Sequence, residues 1–530
     1  MRPADRERVR VEVVQRVVDG YVRQARDAPE GFLQRLVNDT LYQERRRLDQ
    51  ADPRSKRTKS ELALYQEVQR RLHSAAETTV RALLEQLAMR FVDEVIGNLD
   101  DRVYRLSTTL IPPGLSLLVN AMSPRRLLDL RRLSRSLVDQ LKIQGEVEQV
   151  QRLAQHGTVV VVPTHSSNLD SIVLGYAGYR IGLPPLLYGA GINLFSNPMI
   201  SFFMHNLGAY KVDRKKTAKL YRAVLKEYTT CALELGYHQL FFPGGTRSRS
   251  GAIEQQLKKG LLGTVIRAYT NNLIAGREPA RIYLAPCTLS YKLVLEAEAL
   301  IRSHLQETGK ASYIVEDDEF SRPRRVLNFL FNLTSLDDEI AVTWSAPLDV
   351  FGNRVDADGN SLDPRGRVVD PRSYVTREGV PYVDEQRDVE YTNELADAVG
   401  GAFLRDNVVM TTHVVARAVF ELLRRRNPTH DLYRLLQTGG DAPSFAMAEV
   451  HSEVERLLGE LGRSDVTRPR LSALLQAGDV QEIVADALRH FAIYHTRPAA
   501  VRRGDRLFHE HRNLLCYYGN RLDGYGLGGS

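Results

Sequence analysis

A run of four valines, Val159 to Val162, ends at Pro163 and a polar segment. A short apolar run that stops in this way is typical of a buried strand. A helical pattern begins near Asp170, and Ser167 or Asn168 is expected to cap that helix. The sequence therefore predicts a strand, a tight turn and a helix, which constrains this part of the chain to an α/β fold.

The same alternation continues over residues 141–350, where strand patterns such as 238–242 and 282–289 are separated by helical ones. We therefore predict an α/β domain over 141–350. Residues 1–140 and 376–530 have helical periodicity and are predicted as helical N- and C-terminal regions. Residues 351–375 are rich in Gly, Asp, Asn, Arg and Pro, so we predict a linker or loop there.

The chain of 530 residues has a formal net charge of +7. This balance favours anionic partners, such as a phosphorylated substrate or an acidic membrane surface. Nucleic acid would satisfy the same charge, but no motif of interleaved aromatic and basic residues supports it, so we predict no nucleic-acid partner.

The three cysteines, Cys231, Cys287 and Cys516, are far apart and form no CxxC pair. The sequence therefore predicts neither a disulfide framework nor a metal site. The first residues lack the apolar core of a secretory signal, and no stretch approaches the ~20 apolar residues that span a bilayer. We expect a cytoplasmic protein that is soluble or peripheral. The basic stretch Pro124–Leu133 could lie on an acidic membrane or pack on its own domain.

His165 and Asp170 are the first pair with catalytic potential. Both follow the predicted strand, and open α/β sheets place their ligands at the carboxyl ends of strands. On one regular helix this spacing would separate the two side chains, whereas a strand–helix turn lets the carboxylate fold back onto the imidazole. An imidazole held by a carboxylate can act as a general base toward a hydroxyl.

A second group of residues is suited to bind phosphate. After the strand pattern of residues 238–242, the chain continues through two glycines, Thr246, Arg247, Ser248 and Arg249. Successive backbone N–H groups at such a turn, including those of Gly245 and Thr246, can form an anion-binding nest, and the two arginines add bidentate donors. Arg214 and Lys211, which lie earlier in the chain, are candidates for further positive charge.

Four blocks fall in a fixed order within residues 163–296: His165 to Asp170, Gly208 to Arg214, Phe241 to Gly251, and Leu284 to Tyr291. Their order and spacing resemble the four motifs of the glycerolipid acyltransferases, which include HxxxxD, GxxxIxR and FPEGTRSR-like patterns. The long helical flanks resemble the glycerol-3-phosphate acyltransferase branch.

The resemblance implies a central mixed sheet flanked by helices. It also implies transfer of an acyl group from acyl-CoA or acyl carrier protein to the sn-1 hydroxyl of glycerol 3-phosphate, giving lysophosphatidate, with no further cofactor. His165 and Asp170 would be catalytic, and the arginines would hold the phosphate. Such a protein would associate peripherally with the anionic inner face of the membrane. A lysophospholipid or dihydroxyacetone phosphate acceptor is an alternative, as is a phospholipid-binding relative without activity.

Gly244 departs from this pattern, because the family that the chain resembles usually has a glutamate at this place in the third motif. The difference removes a carboxylate that is expected near the acceptor, and it leaves open the acceptor preference and, to a lesser degree, the activity. Glu254 is an acidic residue nearby in the sequence.

Overall fold

The computed structural model describes residues 1–73, 76–105, 141–195, 198–277, 280–308, 340–440, 443–463, 467–492, 495 and 497–527. The basic stretch Pro124–Leu133 lies outside these residues. None of the described helices is both long and apolar enough to cross a membrane.

Four helices form the N-terminal part: α1 (Pro3–Arg26), α2 (Phe32–Leu48), α3 (Lys56–Leu72) and α4 (Glu77–Val95). Each has an apolar stripe, such as Val9, Val13 and Val17 of α1, and these stripes meet in a core of their own. Residues from the edge of the central sheet and from a helix over residues 219–234 complete this core. The N-terminal region therefore packs directly against the α/β domain.

Seven strands form the central sheet: β1 (Leu141–Gly145), β2 (Thr158–Pro163), β3 (Leu187–Gly191), β4 (Ala209–Val212), β5 (Gln239–Leu240), β6 (Ile282–Tyr291) and β7 (Ile340–Trp344). Their order is β1-β7-β6-β2-β5-β3-β4. The neighbours from β6 to β4 run parallel, whereas β7 runs antiparallel to β6 and parallel to β1. The predicted mixed sheet flanked by helices is confirmed.

The valines of β2 show why this strand is central. All four are at most 1% exposed, because a strand in the middle of a parallel sheet is covered on both faces. Each buried valine side chain contributes roughly 1.5–3 kcal/mol of hydrophobic stabilisation. The turn after β2 is consequently built on one of the most buried parts of the protein.

Six helices flank the sheet: α5 (Val147–His156), α6 (Asp170–Arg180), α7 (Pro198–Asn206), α8 (Lys219–Glu234), α9 (Lys259–Ile274) and α10 (Ala297–Thr308). A short 3₁₀ helix, Ile192–Phe195, follows β3. Helix α6 begins directly after the turn that follows β2, in line with the predicted strand, turn and helix.

The segment predicted as a linker, residues 351–375, is folded. It contains the short strands β8 (Arg354–Val355), β9 (Ser361–Leu362) and β10 (Val368–Val369) and a 3₁₀ helix, Pro371–Val375. The strands pair in an antiparallel sheet. Strands of two residues are too short to produce a visible alternation, which is why the pattern indicated only a loop. A hairpin of β11 (Thr376–Arg377) and β12 (Val380–Pro381) follows.

The C-terminal part is mainly helical, with α11 (Glu385–Asp406), α12 (Thr411–Arg426), α13 (Leu432–Thr438), α14 (Met447–Arg463), α15 (Ala473–Ala477), α16 (Val480–Phe491) and α17 (Arg512–Gly519). Five short strands, β13 (Val408–Val409), β14 (Ser444–Ala446), β15 (Arg470–Leu471), β16 (Ala500–Arg503) and β17 (Arg506–His509), form two small sheets. One continuous hydrophobic core joins these helices to the central sheet. The end of this region, including the 3₁₀ helix Asn520–Leu522, thereby comes close to the turn after β2.

Candidate active site

The turn after β2 is fixed to strand β6 by hydrogen bonds. The Thr164 N–H donates to the carbonyl of Cys287 at 2.9 Å, and the Leu289 N–H donates to Thr164 Oγ1 at 3.0 Å. Because both partners belong to the same buried strand, the residue that follows, His165, has a defined position at the carboxyl edge of the sheet.

Asp170 is the centre of the turn. Its side chain is fully buried, and its Oδ2 oxygen lies 2.8 Å from His165 Nδ1. The same oxygen accepts hydrogen bonds from the N–H groups of Ser166 at 2.6 Å and Ser167 at 2.9 Å. The hydroxyl of Tyr291, at the end of β6, donates to the other oxygen at 2.6 Å. Four contacts thus hold the carboxylate, and the carboxylate in turn orients the imidazole.

The predicted cap of α6 is wrong. Leu169 occupies the capping position without a side-chain hydrogen bond, and Asp170 is the first helical residue. The Ser167 hydroxyl instead donates to Glu296 at 2.9 Å, and the Asn168 N–H donates to the same carboxylate at 3.0 Å. The buried Glu296 therefore fixes the turn that precedes α6 and does not cap the helix itself.

The environment of His165 favours its neutral form. Burial lowers the pKa of this imidazole; Asp170 opposes the shift, and the positive charges of Arg247 and Arg214 reinforce it. The ring also stacks on Phe242, with 4.0 Å between ring centroids. When Nδ1 carries the hydrogen that is donated to Asp170, the lone pair of the neutral ring is on Nε2. His165 is therefore equipped to accept a proton at Nε2.

Three of the predicted phosphate ligands, Arg214, Arg247 and Arg249, come together next to this base. Arg214 is exposed, but loss of hydration beside its neighbours and the like charges of Arg247 and Arg249 lower its pKa. Arg247 Nη1 lies 3.3 Å from a carboxylate oxygen of Glu296, and Arg249 forms an ion pair with Glu307. Among the residues that the structure describes, none forms an ion pair with Arg214. Clustered guanidinium groups of this kind favour a bound anion.

The turn that carries Gly245 and Thr246 leads directly into Arg247 of the arginine cluster. Gly245 has a φ of +73°, which favours glycine, and its N–H donates to the Phe242 carbonyl at 3.0 Å. The Ser248 N–H donates to the carbonyl of His165 at 2.7 Å. These two amides are used within the protein, so a nest of the kind predicted would have to use the remaining N–H groups of the turn.

Lys211 is not brought to the arginine cluster. Its Nζ lies 5.3 Å from the ring centroid of Phe195. Burial lowers the pKa of Lys211, and the charged groups that act on it are Arg57, Glu94 and Arg6 of the N-terminal region. Its position on edge strand β4 therefore directs Lys211 toward the N-terminal helices.

Lys216, two residues after Arg214, has a structural position. Its side chain is fully buried, and Nζ lies 3.0 Å from Glu44 and 2.7 Å from Glu94. The ammonium group also lies 4.6 Å from the ring centroid of Phe91. The N-terminal helices thus hold the loop that presents Arg214.

Sequence reasoning missed Arg521 of the C-terminal region. This arginine is buried, and its guanidinium donates to Asn407 Oδ1 at 2.9 Å, to the Leu289 carbonyl at 2.7 Å and to Ser166 Oγ at 3.4 Å. It lies close enough for the charge of Asp170 to act on its pKa, which burial lowers. Ser166 and Arg521 are 355 positions apart, so no local pattern could indicate the contact.

Comparison with known proteins adds a family match for the same part of the chain. Residues 144–290 match the family model named Acyltransferase. The matched segment contains all of the first three sequence blocks and most of the fourth, so this part of the α/β domain is similar to the proteins that the Acyltransferase model describes.

Two proteins with sequences similar to this chain are named glycerol-3-phosphate acyltransferase. The one from Pseudomonas fluorescens (strain Pf0-1) is 34% identical over 177 residues, which are 33% of this chain and 20% of the relative. The one from Pseudomonas aeruginosa (strain LESB58) is 33% identical over 173 residues, or 32% of this chain and 20% of the relative. The matched part thus spans about a fifth of the length of these relatives.

Among solved structures, a 1-acyl-sn-glycerophosphate acyltransferase from Thermotoga maritima aligns with 56% of this chain and 91% of its own. The sequence identity is 13% and the TM-score is 0.25.

Proposed function

We propose that this protein transfers a fatty acyl group from an acyl thioester to the sn-1 hydroxyl of glycerol 3-phosphate and so forms lysophosphatidate. The observation that carries the proposal is the position of His165: its Nδ1 lies 2.8 Å from buried Asp170, and Arg247 and Arg214 are near enough to lower its pKa. A base for a hydroxyl and a binding place for a phosphate thus adjoin. The similarity of the matched third of the chain to proteins named glycerol-3-phosphate acyltransferase supports this acceptor.

In the proposed reaction, His165 Nε2 takes the proton of the sn-1 hydroxyl as the oxygen attacks the thioester carbonyl carbon. Asp170 stabilises the imidazolium that forms. The tetrahedral intermediate then collapses, the C–S bond breaks, and the imidazolium returns its proton to the leaving thiolate. The products are the acyl ester and a free thiol, so neither a covalent acyl-enzyme nor a redox step is needed.

The arginines would contribute by holding the acceptor. A phosphate bound by Arg214 and Arg247 would fix the glycerol backbone so that one hydroxyl reaches the base, and such positioning can supply several kcal/mol of the barrier reduction. Arg249 already pairs with Glu307, so we assign it to the rim of the binding place. Gly245 and Thr246 would shape the same wall.

The donor and the cellular setting follow from the same chemistry. Acyl-CoA and acyl carrier protein are both anionic, which suits a chain with a formal net charge of +7. We propose that either serves as co-substrate, that no resident cofactor is required, and that the protein works at the anionic inner face of the membrane.

The test is turnover by the purified protein supplied with acyl-CoA and glycerol 3-phosphate, with lysophosphatidate identified by mass spectrometry. The His165→Ala variant should lose about 10²- to 10⁴-fold in rate, the usual contribution of a general base, while keeping its circular dichroism spectrum. His156→Ala, an exposed histidine at the end of α5, is the matched control and should behave as the wild type.

A panel of acceptors with the same donor then tests specificity. Turnover with a lysophospholipid or dihydroxyacetone phosphate, but not with glycerol 3-phosphate, would refute the proposed acceptor. Phospholipid binding without turnover of any acceptor would refute the proposed activity.

A further inference from the structure

Glu254 lies against the position where the family glutamate is missing. After the motif that contains Gly244, the chain turns at Gly251, which has a φ of +87°, and returns over the motif. The Lys258 N–H donates to the Pro243 carbonyl at 2.7 Å and fixes this return. The carboxyl group of Glu254 thereby comes to rest on the backbone of Gly244.

The space beside Gly244 is filled by this carboxyl group. A Cβ atom placed on Gly244 would lie 2.0 Å from Glu254 Oε2 and 2.2 Å from Oε1. Contacts this short do not occur, so a side chain at position 244 and the Glu254 carboxyl group in its present place exclude each other. Glycine at position 244 thus leaves the space that the Glu254 carboxyl group occupies.

The Glu254 carboxyl group is also ready for a ligand. Its Oε2 atom is buried and has no hydrogen-bond partner among the described residues, which is unfavourable for a polar atom removed from water. The charged groups that face it are Arg521, Asp170 and Lys258. Burial raises the pKa of Glu254 to about 8; Arg521 and Lys258 oppose the rise, and Asp170 adds to it. The carboxyl group is therefore near the catalytic aspartate and retains an unused hydrogen bond.

We propose that Glu254 is the acceptor-binding carboxyl group of this site, moved from position 244 to position 254, and that it hydrogen-bonds the second hydroxyl of the glycerol phosphate. The inference rests on the proposed function. With the phosphate on the arginines and the sn-1 hydroxyl at His165, the hydroxyl on the middle carbon is the polar group of the acceptor that still needs a partner. With Oε2 as the acceptor of the hydrogen bond from that hydroxyl, Glu254 favours an alcohol over a carbonyl group at the middle carbon.

The first experiment compares Glu254→Met, which keeps the length of the side chain but cannot form the hydrogen bond, with Glu254→Gln, which can. We expect Glu254→Met to raise the KM for glycerol 3-phosphate roughly 10-fold or more, as loss of one such hydrogen bond does. Its preference for glycerol 3-phosphate over dihydroxyacetone phosphate, which has a carbonyl at the middle carbon, should fall by a similar factor. Glu254→Gln should keep most of both values.

The second experiment exchanges the two positions. Gly244→Glu alone should be impaired, because the new side chain meets Glu254. The double variant Gly244→Glu, Glu254→Ala should recover at least about 10-fold in kcat/KM over Glu254→Ala, since interacting positions are not additive. Glu390→Ala, an exposed residue of α11, is the control and should be unchanged.

The results separate this inference from the function on which it rests. If the wild type turns over glycerol 3-phosphate and Glu254→Met has an unchanged KM and an unchanged acceptor preference, the role of Glu254 is refuted and the proposed function stands. A double variant no better than Glu254→Ala would also refute the exchange. An inactive wild type would refute the proposed function and this inference with it.

Discussion

Replacing Asp170 by asparagine tests the charge of the carboxylate separately from its geometry. An asparagine oxygen in the place of Oδ2 can still accept hydrogen bonds from Ser166, Ser167 and His165 Nδ1. The asparagine NH₂ group then takes the place of Oδ1 and can donate to the hydroxyl oxygen of Tyr291. The imidazole should therefore keep its orientation and its tautomer. What disappears is the negative charge that stabilises the imidazolium during the reaction.

The magnitude follows from the separation of the charges. With a nitrogen–oxygen distance of 2.8 Å, the charge centres are about 4 Å apart, and at an effective dielectric of about 20 their attraction is about 4 kcal/mol. Losing it should lower kcat about 10³-fold. Because Asp170 raises the pKa of His165, the acidic limb of the kcat/KM profile should also move to lower pH in this variant.

The assay is release of free thiol from acyl-CoA, followed over a range of pH with the acceptor concentration varied at each pH, so that both kcat and kcat/KM are obtained. Tyr291→Phe is the matched control: it removes a hydrogen bond at 2.6 Å to the same carboxylate but keeps the charge. Since that bond exists before and during the reaction, its kcat should stay within about threefold of the wild type. An Asp170→Asn variant with more than a tenth of the wild-type kcat would refute the role assigned to the charge.

Two further predictions concern the loop that carries Arg214. Arg214→Gln removes a positive charge that lowers the pKa of His165, so the acidic limb of the kcat/KM profile should move to higher pH. The control Arg365→Gln, on an exposed turn, should leave that limb in place. An unshifted limb in Arg214→Gln would contradict an electrostatic effect of Arg214 on His165. Lys216→Met leaves two glutamates of the N-terminal helices without their buried cation and should lower the free energy of unfolding in urea by about 3–5 kcal/mol. The exposed neighbour Lys215→Met should cost less than about 0.5 kcal/mol, and equal losses in the two variants would refute a structural role for the buried lysine.

The sequence predicted those parts of the site that depend on local order. The valine run of β2 requires a buried strand, and the polar residues after it require a turn, so His165 and Asp170 could be placed together before any coordinates. The arginines of the third motif follow β5 at the same edge of the sheet, which explains why they adjoin the base. Lys211 is different, because its edge strand faces another region of the chain.

The remaining parts depend on contacts between distant segments. Tyr291, Glu296 and Arg521 bind the turn from 121 to 355 positions away. Tyr291 ends the fourth sequence block, but no local pattern indicates that its hydroxyl reaches Asp170 or that Glu296 and Arg521 reach the turn. Glu254 is nearer in the sequence, but its carboxyl group reaches Gly244 only because the chain returns over that residue. Side chains that hold a site from outside its motifs require the tertiary structure.

The Arg521 contact has a consequence for how the protein matures. Ser166 is made 355 residues before the arginine that donates to its hydroxyl. At 5–20 residues per second, the ribosome needs roughly 20–70 s to cover that distance. During this interval the His165–Asp170 turn lacks the buried cation that Arg521 supplies. The nascent α/β domain therefore leaves the ribosome with an unfinished site, which is completed only after residue 521 has been made and has folded onto it.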